Sequence, residues 1–543
     1  GAPRREVVMR EIEVPVLICG GSLVGMSAAL FLAQHGIRAL SVEYHRGTAI
    51  HPRAALANQR TIELFRTAGL EETICRRSAE QFVQNGGIVA VETLRGGTTD
   101  EFIADLNEGV RDVSPCERVF LSQNALEPLL KQRAIDLGAE FLFGTEVLSV
   151  EQDSAGVTAR LRDRDSGEES IVHAKYAIAA DGAHSRIRQQ LGLKMQGHQT
   201  FSHSVTIYFR ADLKPLLWDK TWAVVYVNHP QLRGFFRFEK PFESGFLVVN
   251  TAGDATHPVT DVSTGLTTER ALQYIHTALG TDSIPVTVEN VMHWNARADV
   301  ADRFRAGRVF LAGDSAHVMP PTGGFGGNTG VQDAHNLAWK LAMVLSGKAP
   351  EKLLDTYELE RAPVAAFTVE QAYTRYVVRT APDLKPSGMH PYVHDLNIEL
   401  GYVYHSPAIV PLPQGPGHVH PRESHGMPGT RAPHVWLDRG GQRLSTLDLF
   451  GRNFTLLGGP GAQEWARCAH TTAGESKIGL EAFCVGSDGL DDQGSLPAAY
   501  GIEPSGCALI RPDGFVGWRS GNGEPASTRT LSSVLARMTG GSA

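Results

Sequence analysis

The chain has 543 residues, of which 42% are hydrophobic and 20% charged, and a formal net charge of −8. This is the composition of a globular protein with length for about two to four domains and an ample core. The acidic balance argues against nucleic acid or an anionic membrane as the main partner, and the longest apolar run, 14–33, is broken by glycines and by Ser22 and Ser27, so it reads as strand, turn and helix rather than a membrane span.

The first organised stretch is Val14–Glu43. Pro15–Cys19 reads as a buried strand, Gly20–Gly25 as a glycine-rich turn, Met26–His35 as a helix closed by Gly36, and Ile37–Val42 as a second strand ending on Glu43. A strand, a glycine turn, a helix start and a terminal acid form a βαβ unit suited to a dinucleotide, with the acid placed for ribose hydroxyls. The fingerprint expects glycine at position 22, where this chain has Ser22.

Arg60–Ala68 and Leu121–Leu137 read as helices, with Gln123 in the first turn of the second. The segment from Phe141 suggests two strands, EFLFGTEVLSVEQD and VTARLRD, around a turn at Ser154–Gly156, and Val147 lies in the first. Ser170–Ala180 is a third strand, ending on Asp181-Gly182 and followed by Ser185 and Arg188 on a helix. From about Gly192 to Trp294 aromatic and β-branched runs separated by Pro and Gly predict an antiparallel sheet, one face against a core and one free. Tyr208, Tyr226, Phe236 and Phe238 are candidates to line an aromatic pocket there, with plain sheet packing as the alternative.

Gly307–Leu345 repeats the first device. The strand Val309–Ala312 ends on Gly313-Asp314, the loop Pro320–Gly330 is glycine-rich, and an amphipathic helix runs from about Gly330 to Leu345. Backbone N–H groups can approach a ligand closely where side chains are missing, and a helix start favours negative charge. Leu353–Ala381 is a further helix, kinked or restarted at Pro363. Near its end Arg379 could orient a phenolate or lower its pKa, or simply belong to a charged face. Pro382–Met427 reads as linker and loop, and Gly429–Ala543 as an α/β tail. The six cysteines are scattered, with no CxxC, and no His/Asp cluster has metal-ligand spacing, so no metal is expected. No signal-peptide pattern is visible, so the cytoplasm is the expected compartment, with Met9 near a native start.

The two glycine devices with AIAADGAHSRIR (177–188) between them resemble the class A FAD-dependent aromatic hydroxylases, most closely the aromatic polyketide hydroxylases of tetracenomycin and anthracycline type with a thioredoxin-like tail. The resemblance implies an α/β fold: a Rossmann-like FAD-binding domain (1–191 and 295–390), an antiparallel-sheet substrate domain (192–294) that roofs the flavin, a linker (391–428) and a thioredoxin-like domain (429–543). That last domain reads GGPGAQEW where a redox cysteine pair would stand, so a packing or oligomer role, a homodimer included, is expected of it.

The resemblance also implies cofactor contacts from Gly20, Ser22, Leu23, Val24, Gly25, Glu43, Arg53, Gln123, Val147, Asp181, Asp314, Pro321, Gly324, Gly327 and Asn328. Asp314 would bond the ribityl chain, and Gly327 and Asn328 would present backbone N–H groups to the N1–C2=O edge of the ring. His317 is expected to be structural. The implied reaction is hydroxylation of a phenolic polycyclic substrate: NADPH or NADH reduces FAD, O₂ adds at C4a, and the hydroperoxide delivers electrophilic oxygen. A Baeyer–Villiger or ring-rearranging oxidation, and a flavin-binding protein with little turnover, remain alternatives. The WxWxIP element of flavin halogenases is absent.

Overall fold

In the computed structural model, which describes residues 9–49, 56–251, 262, 265–380 and 389–541, the chain builds two large sheets and a smaller C-terminal one. The first carries, in spatial order, Arg305–Ala306, Val309–Leu311, Glu169–Ala179, Arg10–Cys19, Ala39–Val42 and Glu140–Leu142, with the hairpin Thr145–Gln152/Val157–Asp163 attached to Glu169–Ala179. The central strands run parallel. Cys19 pairs with both Ala179 and Val42, and Ala179 pairs with Leu311. That register brings Gly20, Glu43, Asp181 and Gly313 to one edge, the carboxyl ends of adjacent parallel strands, where open α/β sheets bind ligands. The helix Leu23–Gln34 behind the first turn is apolar on nearly every side and correspondingly buried.

The second sheet runs His317–Val318, Thr287–Ala301, Met195–Arg210, Ser244–Asn250, Leu232–Glu239, Trp222–His229, Gly87–Val91 and Thr98–Ile103. It departs from expectation in three ways. Gly87–Val91 and Thr98–Ile103, assigned by sequence to the first FAD-binding segment, hydrogen-bond into this sheet. The pair Gly87–Val91/Trp222–His229 is parallel in an otherwise antiparallel sheet. A helix absent from the expectation, Thr268–Leu279, covers one face. Ala271, Ile275 and Leu279 on it pack with Val205, Ile207, Val225, Phe236 and Leu247. The sheet therefore has a core on that side, and its other face looks toward the first sheet's unit.

Other boundaries differ for local reasons. EFLFGTEVLSVEQD breaks at Gly144, whose φ of 62° ends Glu140–Leu142 and lets Thr145–Gln152 turn into its hairpin. The helix expected from Gly330 begins at Gly326. Asp355–Thr380 is one helix through Pro363, which is exposed. The carbonyl deprived of its partner belongs to Leu359, itself 47% exposed and on the solvent side. The stretch read as linker contributes core: Tyr402, Tyr404 and Ile409 are buried with Val364 and Phe515.

The tail places four strands in the order Leu480–Cys484, Phe454–Gly458, Cys507–Ile510, Val516–Arg519, the first pair parallel and the rest antiparallel. Helices Gln463–Glu475 and Thr528–Met538 accompany it, in a βαβ-then-ββα order along the chain. It is fused to the rest by apolar and ionic contacts. Trp339, Met343 and Leu353 share a core with Phe454, Trp465 and Trp518. Arg511 of the tail donates to Glu360 at 2.7 and 2.9 Å and to Asp513 at 3.1 and 2.6 Å, while Lys340 reaches Glu360 at 2.6 Å, all fully buried. Burial alone would raise the Glu360 pKa, but Arg511 and Lys340 outweigh it and hold the carboxyl far below its ordinary range. Among the described residues no helix is long and apolar enough to cross a membrane.

Removing one partner from this network leaves uncompensated buried charge, which costs on the order of 3–5 kcal/mol. Arg511→Ala is therefore expected to lower the thermal midpoint of the whole chain by several degrees in a single transition, read by circular dichroism on heating. A change confined to a separate tail transition would contradict the ionic coupling.

Candidate active site

The line of strand ends is shaped by close backbone approaches. Gly20 has φ 120°, and a Cβ there would lie 2.0 Å from the Ala180 carbonyl oxygen. A Cβ on Gly25 would lie 2.0 Å from the Gly20 oxygen. Ser41 Oγ donates to the Gly20 carbonyl at 2.9 Å, and Gly21 N–H donates to Glu43 Oε1 at 3.2 Å. The turn is thus pressed between two strands, and its outer side is left open. Ser22 takes the N-cap position with extended φ −94° and ψ −160°, and its side chain makes no capping bond. No left-handed conformation is required there, so serine fits where the fingerprint expects glycine. Ser22, Leu23 and Val24 are half-exposed around the helix start.

Beside this end lies a residue that sequence reasoning missed. Glu127 is 1% exposed, accepts the Ala49 N–H at 3.0 Å and takes the side-chain amide of Gln123. Burial, with the nearby Glu43 charge, raises its pKa. Its one signal in the sequence was the i,i+4 spacing from Gln123. Val147 packs against the core of the first sheet from the attached hairpin. Arg53 lies outside the described residues.

At the centre, the Asp181 and Asp314 motifs are stitched together. Asp181 N–H donates to Ser315 Oγ, and that hydroxyl donates to Asp181 Oδ1, both at 3.0 Å. Ser185 also donates to Asp181, and Arg188 donates to the Ser315 carbonyl at 3.0 Å. Gly313, with φ 65°, packs on Val24, and its N–H donates to Asp333 Oδ2 at 3.1 Å. Asp333 in turn holds His317 at 2.6 Å and Arg361 at 2.7 Å, with no exposure at any of the three. Burial works against the charge, but His317 and Arg361 keep the Asp333 carboxyl below its ordinary pKa. His317 is therefore tied into the frame behind the turn. Asp314 differs: the residue opens to solvent and makes no hydrogen bond or ion pair among the described residues, yet the protein around its carboxyl raises its pKa by desolvation, with His317 opposing.

The loop from Pro320 closes the site. Pro321 is exposed, Gly324 N–H donates to the Pro321 carbonyl at 3.0 Å, and a Cβ on Gly324 would meet Leu56 at 2.6 Å. The Asn328 side chain accepts the Asn58 N–H at 2.9 Å and donates to the carbonyls of Leu56 at 2.9 Å and Gly324 at 2.6 Å. Its amide is used up in bracing, so only backbone donors remain. Because the helix starts at Gly326, the N–H groups of Gly326, Gly327 and Asn328 form its first turn, without intrahelical acceptors and at the positive end of the dipole.

Across from this loop the free face of the second sheet carries Tyr226, paired in register with Phe235 at 5.6 Å between rings, then Phe246 and Tyr208 at 5.8 Å from each other. Phe236 and Phe238 are not on it: they belong to the core under the Thr268–Leu279 helix. The hairpin between Tyr226 and Phe235 reverses the odd–even parity of the facing positions, so same-parity residues from the two strands fall on opposite faces. Arg379 is not on a solvated face either. It is 2% exposed, stacks on Phe102 at 5.6 Å and Tyr226 at 5.9 Å, and donates to the Tyr392 hydroxyl at 3.2 Å. The structure thus brings Arg379 and Tyr226 together at that face.

The matching families agree with this geometry. Residues 13–372 match a FAD-binding domain family, and 425–542 match the C-terminal domain of aromatic-ring hydroxylases. A 4-methyl-5-nitrocatechol 5-monooxygenase from Burkholderia sp. is 51% identical over 539 residues, covering 97% of this chain and 98% of that one. A tetracenomycin B2 monooxygenase-dioxygenase from Streptomyces olivaceus is 39% identical, covering 98% and 99%. The crystal structure of aklavinone-11 hydroxylase with FAD and aklavinone superposes with a TM-score of 0.91 at 36% identity, covering 98% and 100%.

The glycine contacts make a direct test. Gly20→Ala forces a Cβ into the Ala180 carbonyl, whereas Gly36→Ala, at φ 74° with nothing within 4 Å, bears only roughly 1–2 kcal/mol of left-handed strain. Gly20→Ala is expected to lose bound flavin, and Gly36→Ala to keep it, read from the visible absorbance of the purified proteins.

Proposed function

We propose a substrate and a division of labour for this chain, which belongs to the FAD-dependent aromatic-ring hydroxylases: it hydroxylates the ring of a nitro-substituted catechol or a close phenolic analogue. The observation that carries this reading is the 51% identity, along almost the whole of both chains, to a monooxygenase named for a methylnitrocatechol. Identity to the tetracenomycin enzyme is 39%.

When bound, FAD takes reducing equivalents from NADPH or NADH and, with O₂, supplies one electrophilic oxygen atom to the ring while the other leaves as water. The residues described above fit that group: glycines at positions that a Cβ would fill, an exposed aspartate without a protein partner, and a helix start with free donors. Gly20, Ser22, Leu23, Val24 and Gly25 would hold the pyrophosphate, with Glu43 on the adenosine ribose and Gln123 and Val147 around that end. Asp314 would bond the ribityl chain, with Asp181 anchoring the loop through Ser315. Gly327 and Asn328 N–H groups would stabilise negative charge on the ring edge, and Pro321 and Gly324 would wall it. Residues 1–191 and 295–390 would form the FAD unit, with the strands at 87–103 counted with the substrate sheet.

For the substrate, Tyr226, Phe235, Phe246 and Tyr208 offer an aromatic wall. Arg379, buried against Tyr226, would favour the phenolate over the phenol and so raise electron density on the ring carbon under attack. Oxygen inserted at a nitro-bearing carbon expels nitrite and leaves a hydroxyquinone.

A second reading is a polycyclic aromatic polyketide, favoured by the TM-score of 0.91 to aklavinone-11 hydroxylase. The assay is NADPH oxidation by the flavin-loaded protein with 4-methyl-5-nitrocatechol and with polycyclic phenols. Nitrite release in step with NADPH consumption supports the first reading. Turnover only with polycyclic phenols, to products one oxygen atom heavier, supports the second. Arg379→Met is expected to lower kcat/KM about 100-fold, roughly 2.7 kcal/mol, with flavin content unchanged. An effect on flavin content alone would remove Arg379 from the substrate side.

A further inference from the structure

Among the buried arginines of the described residues, all but one have a hydrogen-bond or ion-pair partner. Arg375 has Asp395, Arg361 has Asp333, Arg511 has Glu360, and Arg379 has a tyrosine hydroxyl. The exception is Arg237, on Leu232–Glu239 in the second sheet. It is 6% exposed and forms no hydrogen bond or ion pair among the described residues. Its guanidinium lies against two rings instead, 4.1 Å from the Phe120 ring centroid and 4.9 Å from that of Phe82, both buried. The carboxylate nearest along the strand face, Glu239, is engaged by Gln81 at 3.4 Å. Burial pushes the Arg237 pKa down to about 9.

Two aromatic faces offset part of the desolvation of a guanidinium but satisfy none of its N–H donors. A native fold that leaves such a group open calls for a reason, and a ligand that completes it is one.

The location fits a ligand. Arg237 shares the strand face of Phe235, which pairs with Tyr226, and it lies opposite Phe246, the partner of Tyr208. On its other side Phe120 pairs with Leu56, whose carbonyl accepts from Asn328 and whose side chain abuts Gly324. Arg237 therefore stands between the substrate sheet and the loop assigned to the flavin ring. Arg379 flanks the same aromatic cluster at Tyr226.

We propose that Arg237 is a substrate-recognition residue whose guanidinium receives a negatively charged, delocalised oxygen edge, such as the nitro–phenolate system of a nitrophenol. The planar fork of a guanidinium matches two coplanar oxygens, and the Phe120 and Phe82 rings packed against it restrict how that fork can turn. The inference rests on the proposed substrate class, but it is tested by binding and not by turnover.

The probe is 4-nitrophenolate, titrated into flavin-loaded protein at a pH where it is ionised and followed by its visible absorbance. Neutral 4-methylphenol serves as the comparison, followed by equilibrium dialysis. The wild type is expected to bind the anion at least about 10-fold more tightly than the neutral phenol. Arg237→Gln is expected to weaken the anion about 10- to 100-fold and the neutral phenol less than about 3-fold, with flavin content unchanged. Arg237→Lys, which keeps the charge but loses the fork, is expected to fall between them, and it carries the test if the glutamine variant does not fold. Equal loss for both probes, or no preference for the anion in the wild type, overturns the proposal. Failure of the nitrocatechol reading shows separately, as absence of nitrite release by the wild type.

Discussion

The structure depends on a contact with no room for a side chain: Gly20 lying against the Ala180 carbonyl, where an added Cβ would come within 2.0 Å. That approach lets the ends of the parallel strands meet in register, Cys19 with Ala179 and Ala179 with Leu311. Gly20, Glu43, Asp181 and Asp314 then fall on one edge. The glycine turn, the aspartate held by Ser315, and Asp314 come from sequence positions far apart, yet each begins within three residues of the end of a neighbouring strand.

Behind that edge the polar interior is arranged as a frame. Asp333 takes the Gly313 N–H, His317 and Arg361, so the turn that presents Asp314 is fixed from behind by a charged residue of the Gly326–Leu345 helix. One position before Arg361, Glu360 faces the tail and accepts from Arg511 and Lys340. Adjacent residues of one helix thus connect the cofactor edge to the C-terminal unit. The tail has no CxxC motif for redox chemistry, and its buried contacts make it a structural part of the same body. The frame's paired arginines also give Arg237, with no such partner, its contrast.

Much of this was legible in the sequence. Both glycine devices and Glu43 follow from strand–turn–helix patterns, because local backbone demands select those residue types, whereas the roles of Asp314 and the Asp181-Gly182 motif come from the family resemblance. What escaped reading depends on partners remote in sequence. The parity of Phe236 and Phe238 is set by the hairpin register, which no periodicity within a single strand reveals. Gly87–Val91 is a short apolar run that would suit either sheet, and its parallel partner begins 131 positions later, at Trp222. Thr268–Leu279 has a capping threonine at 267 and a left-handed Gly280 at its end, signals that were present but were outweighed by the surrounding β-rich composition. Glu127 and Arg237 stand out only when burial and the absence or presence of partners are known.

The most direct measurement of the central claim is the stoichiometry and identity of the coenzyme, obtained by denaturing the purified or FAD-reconstituted protein and quantifying the released flavin by chromatography and absorbance. The account predicts one FAD per chain, with FMN failing to substitute because the pyrophosphate turn at Gly20–Gly25 and Glu43 would have nothing to hold. Protein that stays colourless after reconstitution, or that binds FMN as tightly as FAD, would contradict it.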